Sequence, residues 1–323
     1  MQPADNVTLA LYRASRAVPA SQFQHLVFDQ MHSLIPFDHA YWTRAGMKDG
    51  QIQLFGVHAY PEPLSPALAH AWTVYQDRDV LGRLAFLAQG QTINAVAAEM
   101  VQDPDMLEHL VRRFSLDYAL TTCLVDPVTG LVNSISLFRG AAGPRFTEEE
   151  RQLTEALTPH AVESYALARL LQLMELRAPS GPFVYAAAAS DQEGLLHHAT
   201  REFVAHLLAE WPQWRGPMLP SSLIARMAQT ARGRVRGARI VIHFDSAGES
   251  KWLRARERQP IDSLTPREAQ VARLTAAGRS NKEVAQALKL SPHTVRNQLL
   301  TIYKKLGIET RAQLVPLIES TPG

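Results

Sequence analysis

Hydrophobic and polar positions in the first half of the chain follow both the two-residue period of strands and the 3.6-residue period of helices. The two-residue period predicts two hairpins and one further strand, over residues 39–44 with 51–58, 117–125 with 131–138, and 91–96. Helical spacing predicts three helices, over residues 21–34, 64–75 and 104–114. Strands interleaved with helices in this way predict an antiparallel sheet flanked by helices, which is an α+β fold.

A long helix is predicted to begin at Thr147, because Thr147 and Glu150 have the spacing of a capping box. Pro159 lies inside this helix and is expected to kink it. Apolar residues recur along it at near-helical steps: Leu153, Leu157, Val162, Leu167, Leu171 and Met174. Two interpretations of this stripe stay open, since it can form the seam of a homodimer or pack on its own domain.

Two polar segments divide the chain into three predicted domains, over residues 1–178, 182–255 and 260–323. The segments Arg177–Pro182 and Arg254–Ser263 are rich in Pro, Gly, Ser or charged residues, which is typical of linkers. Between the two segments, the pattern predicts a second, smaller α+β module. Its strands are predicted over residues 183–188, 195–198, 239–244 and 251–256, and its helix over 201–209.

Capping residues mark the helix boundaries of the last sixty residues. Three N-terminal caps and two glycine ends are recognisable: Thr265 with Glu268, Ser280 with Glu283, Ser291 before Pro292, Gly278 and Gly307. They predict four helices, the last of which starts at Thr310. The link Lys289–Leu290 between the second and third helices is short, which predicts a helix-turn-helix.

The third of these helices has an apolar face, formed by Val295, Leu299, Ile302 and Leu306. Residues that contact DNA are predicted mainly on its other face: Lys282, His293, Thr294, Arg296, Asn297, Leu300, Lys304 and Lys305. In a major groove, Arg can bind guanine and Asn can bind adenine through two hydrogen bonds, and Lys suits phosphates. The alternative is that this face is only the solvated side of an amphipathic helix.

Charge is unevenly distributed along the chain. From Pro260 to the end, nine Lys and Arg stand against five Asp and Glu, so this part carries +4 and the remainder −2. A basic module joined to a slightly acidic body is typical of a protein that binds a polyanion. The single cysteine, Cys123, excludes an intrachain disulfide and fits a reducing compartment. With no signal peptide and no membrane span in the pattern, we expect a cytoplasmic protein.

The last segment resembles the DNA-binding domain of the LuxR/FixJ family. The resemblance rests on four motifs: LTPRE (264–268), GRSNKEVA (278–285), LSPHTVRN (290–297) and KKLG (304–307). It implies a four-helix helix-turn-helix domain that binds double-stranded DNA as a homodimer through its fourth helix, with RNA polymerase as a candidate partner. It also implies that Arg296, Asn297 and Leu300 face the bases.

Two residues depart from the family pattern. Leu300 stands where a polar or basic residue is more usual, so it either contacts a thymine methyl group or packs. Pro316 falls inside the predicted fourth helix and removes one of its hydrogen bonds, which puts a standard fourth-helix dimer in doubt.

The first segment resembles GAF-like sensor domains through PFDHAYW (36–42), YQDRDVL (75–81) and FTEEERQLTEALTPHA (146–161), and the second resembles a degenerate PAS module. The resemblance implies a small-molecule effector bound in the first segment. Five aromatic residues are candidates to line its pocket: Tyr41, Trp42, Trp72, Tyr75 and Phe138. The alternative for each is an ordinary core position.

No catalytic signature is apparent, so we expect a protein that is not an enzyme, without cofactor or metal. No GxxxxGK[ST] loop is present. His197 and His198 are adjacent in a predicted strand, so their side chains point to opposite faces and cannot easily share one metal ion. The sequence predicts a transcriptional regulator controlled by a small molecule. The alternative is a constitutive or protein-controlled regulator whose front half is an interaction scaffold.

Overall fold

The computed structural model describes residues 3–48, 51–176, 186–230, 233–247 and 250–319. The chain divides into two compact units. Of the described residues, the first contains those within 3–176, 186–233 and 244–254, and the second those within 234–243 and 255–319. Within the described ranges, no helix combines the length and the apolar composition that crossing a bilayer requires.

The first sheet has five strands: β1 (His39–Lys48), β2 (Gln51–Tyr60), β3 (Thr92–Val96), β4 (Tyr118–Val125) and β5 (Val132–Arg139). Their order is β2-β1-β5-β4-β3, and every pair is antiparallel. Both predicted hairpins are confirmed. β1 continues past its predicted end at Arg44, and its register with β2 shifts there, since Arg44 faces Gly56 and Ala45 faces Leu54.

In the described part of the chain, seven helices accompany this sheet: α1 (Pro3–Ala14), α2 (Ala20–His32), α3 (Pro66–Tyr75), α4 (Val80–Leu87), α5 (Ala97–Met100), α6 (Pro104–Met106) and α7 (Glu148–Leu176). The helix predicted over 104–114 is formed by α6 and a π-helical turn, Leu107–Arg112. The antiparallel sheet with flanking helices, which is the predicted α+β class, is confirmed.

The sheet carries an apolar cluster on each face. On one face, α1, α2 and α7 cover Trp42, Ile135 and Leu137, and Phe23, Phe28 and Leu157 from the helices complete the cluster. On the other face, Tyr41 packs with Leu68 of α3 and with Met106 and Leu110. Adjacent strand residues therefore belong to different clusters, as the alternation of side chains along a strand requires.

The capping box at the start of α7 is confirmed. The Glu150 N–H donates to Thr147 Oγ1 at 3.2 Å, and the Thr147 N–H donates to Glu150 Oε2 at 2.8 Å. Leu153, Leu157 and Val162 pack on the cluster that contains Trp42, so this half of the stripe packs within its own unit. Leu167 and Leu171 are half-buried, and the Met174 side chain lies outside the described side chains.

The second sheet also has five strands: β6 (Ala186–Asp191), β7 (Leu196–Ala199), β8 (Arg234–Arg236), β9 (Ile240–Ala247) and β10 (Ser250–Glu257). Their order is β7-β6-β10-β9-β8, and the helices α8 (Arg201–Glu210) and α9 (Ser221–Ala228) complete the module. The predicted residues 183–185 lie outside the described residues. β10 reaches Glu257 and a 3₁₀ turn covers Pro260–Ser263, so most of the segment predicted as a second linker has regular structure. The three domain boundaries stay predictions.

Four helices follow within the described residues 264–319: α10 (Pro266–Ala276), α11 (Asn281–Leu288), α12 (Pro292–Leu306) and α13 (Arg311–Glu319). This all-helical region is the second part of the predicted fold class, and it is confirmed.

Candidate nucleic-acid interface

Side-chain caps fix the ends of the last four helices where the sequence predicts them. Thr265 and Glu268 close a capping box at α10, and Ser280 and Glu283 close another at α11. The Thr294 N–H donates to Ser291 Oγ at 3.0 Å at the start of α12. Gly278 and Gly307 have positive φ angles of 96° and 66°, a conformation in which only glycine avoids a steric cost.

A shared apolar core holds these helices in fixed relative positions. Its fully or nearly fully buried members come from every helix: Val271, Ala272, Val284, Ala285, Val295, Leu299, Ile302, Leu306 and Leu314. Ile261 and Leu264, on either side of Asp262, belong to the same core. The predicted stripe on α12 is confirmed as its buried face.

The turn between α11 and α12 is compact. Lys289 adopts the left-handed conformation, with φ 54° and ψ 48°, and the Leu290 N–H donates to the Ala285 carbonyl at 2.8 Å. Arg267 of α10 donates to the Leu288 carbonyl at 2.5 Å and so ties α10 to the end of α11. The sequence pattern did not single out Arg267, since its partner is 21 residues away.

The face of α12 opposite the core projects into solvent. His293, Arg296, Asn297, Leu300 and Lys304 are all exposed. Asn297 Nδ2 lies 3.2 Å from His293 Nε2. The Arg296 and Lys304 side chains make no hydrogen bond or ion pair to another residue in the described part of the chain, and the same holds for exposed Lys282 at the start of α11.

Two predicted DNA-contacting residues are engaged inside the domain. Lys305 Nζ lies 2.8 Å from both carboxylate oxygens of Glu268, an ion pair that joins α12 to α10. Burial raises the pKa of Glu268, but hydrogen bonds from Lys305 and Thr265 outweigh burial and hold that pKa below its usual value. Half-buried Thr294 belongs to the cap of α12, since its Oγ1 lies 2.8 Å from Ser291 Oγ. These two residues therefore position α12.

An ion pair in the second unit connects β10 to the turn before α10. Arg256 Nη1 and Nη2 lie 2.6 and 2.7 Å from Oδ2 and Oδ1 of Asp262, and Oδ2 also accepts the Gln259 N–H at 2.9 Å. Asp262 is 2% exposed. Burial raises the pKa of Asp262, but its hydrogen bond from Arg256 outweighs burial and holds the pKa below its usual value.

Four of the five aromatic residues predicted to line a pocket lie together. Trp72 and Tyr75 of α3 belong to the same cluster as Tyr41, and the ring centroid of Phe138 is 5.6 Å from that of Tyr41. Burial raises the pKa of Tyr41. A cleft of about 280 Å³ opens beside this cluster, and residues of several elements line it: His39, Tyr41, Tyr60, Leu68, Arg113 and Phe114.

Trp42 does not share this face of the sheet. It is fully buried in the cluster beneath α2 and α7, and its Nε1–H donates to Asn133 Oδ1 at 3.0 Å. The placement of Trp42 beside Tyr41 in one pocket therefore has to be corrected, because neighbouring strand residues point to opposite faces.

His197 takes part in a buried polar contact within the first unit. His197 Nδ1 lies 3.2 Å from Arg44 Nη1 of β1, and its Nε2 lies 3.1 Å from Asp191 Oδ2 of β6. Burial, aided by Arg169 and Arg44, lowers the pKa of His197 to about 4, although Asp191 acts in the opposite direction. His197 thus bridges two charged groups as a neutral imidazole. Among the described residues, no group of three or more His, Cys, Asp or Glu is placed to hold a metal ion.

The geometry of α11, its left-handed turn and the exposed face of α12 define a helix-turn-helix. Residues 262–318 match the family model described as bacterial regulatory proteins, luxR family. The second unit therefore contains a helix-turn-helix domain of the luxR family, as the motifs predicted.

Sequence relatives agree with this assignment. One is an HTH-type transcriptional regulator of Mycobacterium bovis, 47% identical over 69 residues, which are 21% of this chain and 8% of that protein. Another is a nitrate/nitrite response regulator homologue of Haemophilus influenzae, 35% identical over 92 residues, which are 28% of this chain and 41% of that protein. The chain thus spans less than half the length of these curated relatives.

Solved structures give a weaker likeness. Escherichia coli SdiA covers 98% of this chain with 97% of its own length, at 14% identity and a TM-score of 0.38. A score this low leaves the GAF-like and PAS-like character of the front half a prediction.

Proposed function

We propose that this protein is a sequence-specific transcriptional regulator that inserts α12 into the major groove of double-stranded DNA. The observation that carries the proposal is the exposed face of α12. Its Arg296 and Lys304 side chains have no partner in the described part of the chain, although caps and a buried core hold the helix itself. Cationic and amide groups preorganised on an exposed helix are suited to phosphates and base edges.

Each residue then has a role that follows from its position. Arg296 and Asn297 reach base edges, and His293 supports Asn297 through their 3.2 Å contact. Lys304 and Lys282 contact phosphates from the end of α12 and the start of α11. The main-chain N–H groups at the start of α11 add to the attraction for an anion.

Selection from a duplex pool with a randomised central segment tests this proposal. The full-length protein should enrich one sequence, and its affinity for that sequence should exceed its affinity for a scrambled duplex by a factor of about 10³ or more. Affinity for both duplexes should fall as salt rises, because binding releases cations from the phosphates and this release becomes less favourable at higher salt. A pool without enrichment, or equal affinity for both duplexes, would refute sequence-specific binding.

We further propose that a small molecule bound on the Tyr41 face of the first sheet controls DNA binding. Support comes from the aromatic cluster and the adjoining cleft of about 280 Å³. Tyr41, Leu68 and Phe114 line this cleft together with polar residues, among them His39, Glu62 and Arg113. Ligand pockets combine apolar and aromatic side chains with polar groups that orient the ligand. The competing proposal is control by a protein partner, with the front half as a scaffold. A homodimer, contact with RNA polymerase and a cytoplasmic location belong to the proposal.

Native mass spectrometry of the full-length protein, compared with its denatured mass, separates these proposals. An excess mass that disappears on denaturation, and that changes DNA affinity when it is added back, supports a small-molecule effector. The same spectrum reports whether the protein is a monomer or a dimer. The alternative result is a native mass equal to that of the protein alone and a DNA affinity that a metabolite extract does not change. If a purified protein partner then changes the DNA affinity, control by a protein partner is supported.

A further inference from the structure

Leu300 is an exposed apolar side chain on the polar face of α12. It is 62% exposed, whereas Leu299 and Leu306 of the same helix are each 7% exposed. At about 100° per residue, Leu300 lies within about 60° of each other member of that face. Those members are His293, Arg296, Asn297 and Lys304. Leu300 therefore stands near the centre of the surface that the proposed function brings to DNA.

Packing inside the protein does not account for Leu300. It is absent from the apolar cluster that holds the four helices together, which includes Leu299 next to it in sequence. Arg296 precedes it by four residues and Lys304 follows it by four, so each lies one helical turn away. Cations on both sides match a polyanion, and they disfavour an apolar protein surface as the occupant of this position.

The chemistry of the major groove offers one apolar group for such a side chain. Base edges there present hydrogen-bond donors and acceptors, except for the C5-methyl group of thymine. A leucine can make no hydrogen bond to the other groups and would desolvate them without compensation.

We propose that Leu300 contacts the C5-methyl group of a thymine and makes this protein select thymine at that position of its site. The proposal rests on the proposed function, because it requires α12 to lie in the major groove. Leu300 would then determine base specificity through an apolar contact, beside the polar contacts of Arg296 and Asn297.

Deoxyuridine substitution tests the contact, since uracil differs from thymine only by the missing methyl group. The probe is the duplex that the full-length protein enriches from the randomised pool, with each thymine replaced singly by deoxyuridine. At one position of a half-site, the wild-type Kd should rise about fourfold, which is the effect of losing one buried methyl group. Substitutions at the other thymines should change the Kd less than twofold.

Two variants identify the side chain responsible. Leu300→Ala should bind thymine and deoxyuridine duplexes equally at the sensitive position, because it no longer reaches the methyl group. Thr301→Ala removes an exposed neighbour on the flank of α12 and should keep the fourfold difference. Leu300→Lys, selected against the same pool, should enrich guanine where the wild type enriches thymine. Affinity for a scrambled duplex, which reports phosphate contacts, should be unchanged for Leu300→Ala.

The outcomes distinguish this proposal from the proposed function. A wild-type protein that enriches a sequence but tolerates deoxyuridine at every thymine overturns the role of Leu300 and leaves DNA reading intact. So does a Leu300→Ala variant with the wild-type sensitivity to deoxyuridine. A pool without enrichment overturns the proposed function, and the role of Leu300 fails with it.

Discussion

Arg296 is exposed on α12 and has no hydrogen-bonding partner among the described residues, so its removal should affect DNA binding and leave folding unchanged. We expect Arg296→Ala to cost about 1–3 kcal/mol on the enriched site and to relax base preference at one position. Lys282→Ala should weaken binding to all sequences alike and reduce the salt slope by about 1. Fluorescence anisotropy on enriched and scrambled duplexes at several salt concentrations measures both effects. Equal losses on the two duplexes from both variants would remove the base contact assigned to Arg296.

Lys289 adopts the left-handed conformation in the helix-turn-helix, which costs a residue with a Cβ atom roughly 1–2 kcal/mol. We expect Lys289→Gly to raise the free energy of unfolding by about 0.5–1 kcal/mol, since the greater freedom of glycine in the unfolded chain offsets part of the relief. Urea unfolding measures the change. Lys289→Ala removes the same charge but keeps the Cβ atom, so it is the matched control and should bring no gain.

Local residue patterns were predictable here, and long-range side-chain contacts were not. The caps at Thr265 and Ser280 depend on residues three positions away, so they are legible in sequence. The ion pair between Lys305 and Glu268 spans 37 residues and links α12 to α10, and the predicted phosphate contact of Lys305 stays a prediction. Only the packed structure brings these two residues together.

At the scale of elements, β10 and the turn Pro260–Ser263 are joined by a charged pair with little solvent access. The side chains of Arg256 and Asp262 are 15% and 1% exposed. We expect Arg256→Met to lower the free energy of unfolding by about 3 kcal/mol, because it leaves the Asp262 carboxylate buried without its counter-ion. Chemical denaturation measures this loss. Arg258→Met changes an exposed arginine two residues away and should cost less than about 0.5 kcal/mol. A similar loss in both variants would contradict the specific role of Arg256.

Two helices that the sequence failed to predict, α4 and α9, have few buried positions or no apolar stripe. In α4, Leu84 and Leu87 are exposed while Ala85 is buried, so its apolar residues do not form one face. In α9, eight residues long, only Leu223 and Met227 are buried, and no side chain caps its start. The hairpins were predictable because alternation and turn residues agree over longer segments.

At the scale of the whole molecule, His197 links strands of two sheets in the first unit as a neutral side chain. Its pKa falls to about 4, from an ordinary value near 6.5. Between these two pH values, His197 is protonated in the unfolded chain and neutral in the folded protein. The contribution of neutral His197 to the free energy of unfolding is therefore complete above pH 6.5 and is lost as the pH falls toward 4. The low pKa of Asp191 places its own contribution below this range.

We therefore expect the free energy of unfolding to fall by about 2 kcal/mol between pH 7 and pH 5 on account of His197. His197→Gln cannot titrate in this range and should reduce the pH dependence by that amount. Unfolding curves at pH 5, 6 and 7 for the wild type and the variant give the difference. His70→Gln, at an exposed position of α3, is the matched control for replacing a histidine by glutamine. An identical pH profile for His197→Gln and the wild type would rule out this role.

The fold class and the helix-turn-helix could be predicted from the sequence, and the three domain boundaries stay predictions. The composition of Arg254–Ser263 is typical of a linker, yet the strand β10 continues to Glu257 and the next turn is closed by Asp262. Composition reports polarity, and Arg256 and Asp262 are polar residues that neutralise each other in the interior. Charged residues of this kind make a segment polar in sequence, as in a linker, although their side chains are buried in the folded protein.

The pairing of Arg256 with Asp262 also limits where this DNA-binding module can be recombined with others. A chimera joined at Pro260, at the edge of the family match, would inherit the buried carboxylate and leave its counter-ion behind. A junction upstream of Arg256 keeps the two together. Exchange of sensor domains, in evolution or in the laboratory, would therefore favour breakpoints before the end of β10. A DNA-binding module transferred from this protein to another should include that end of the strand.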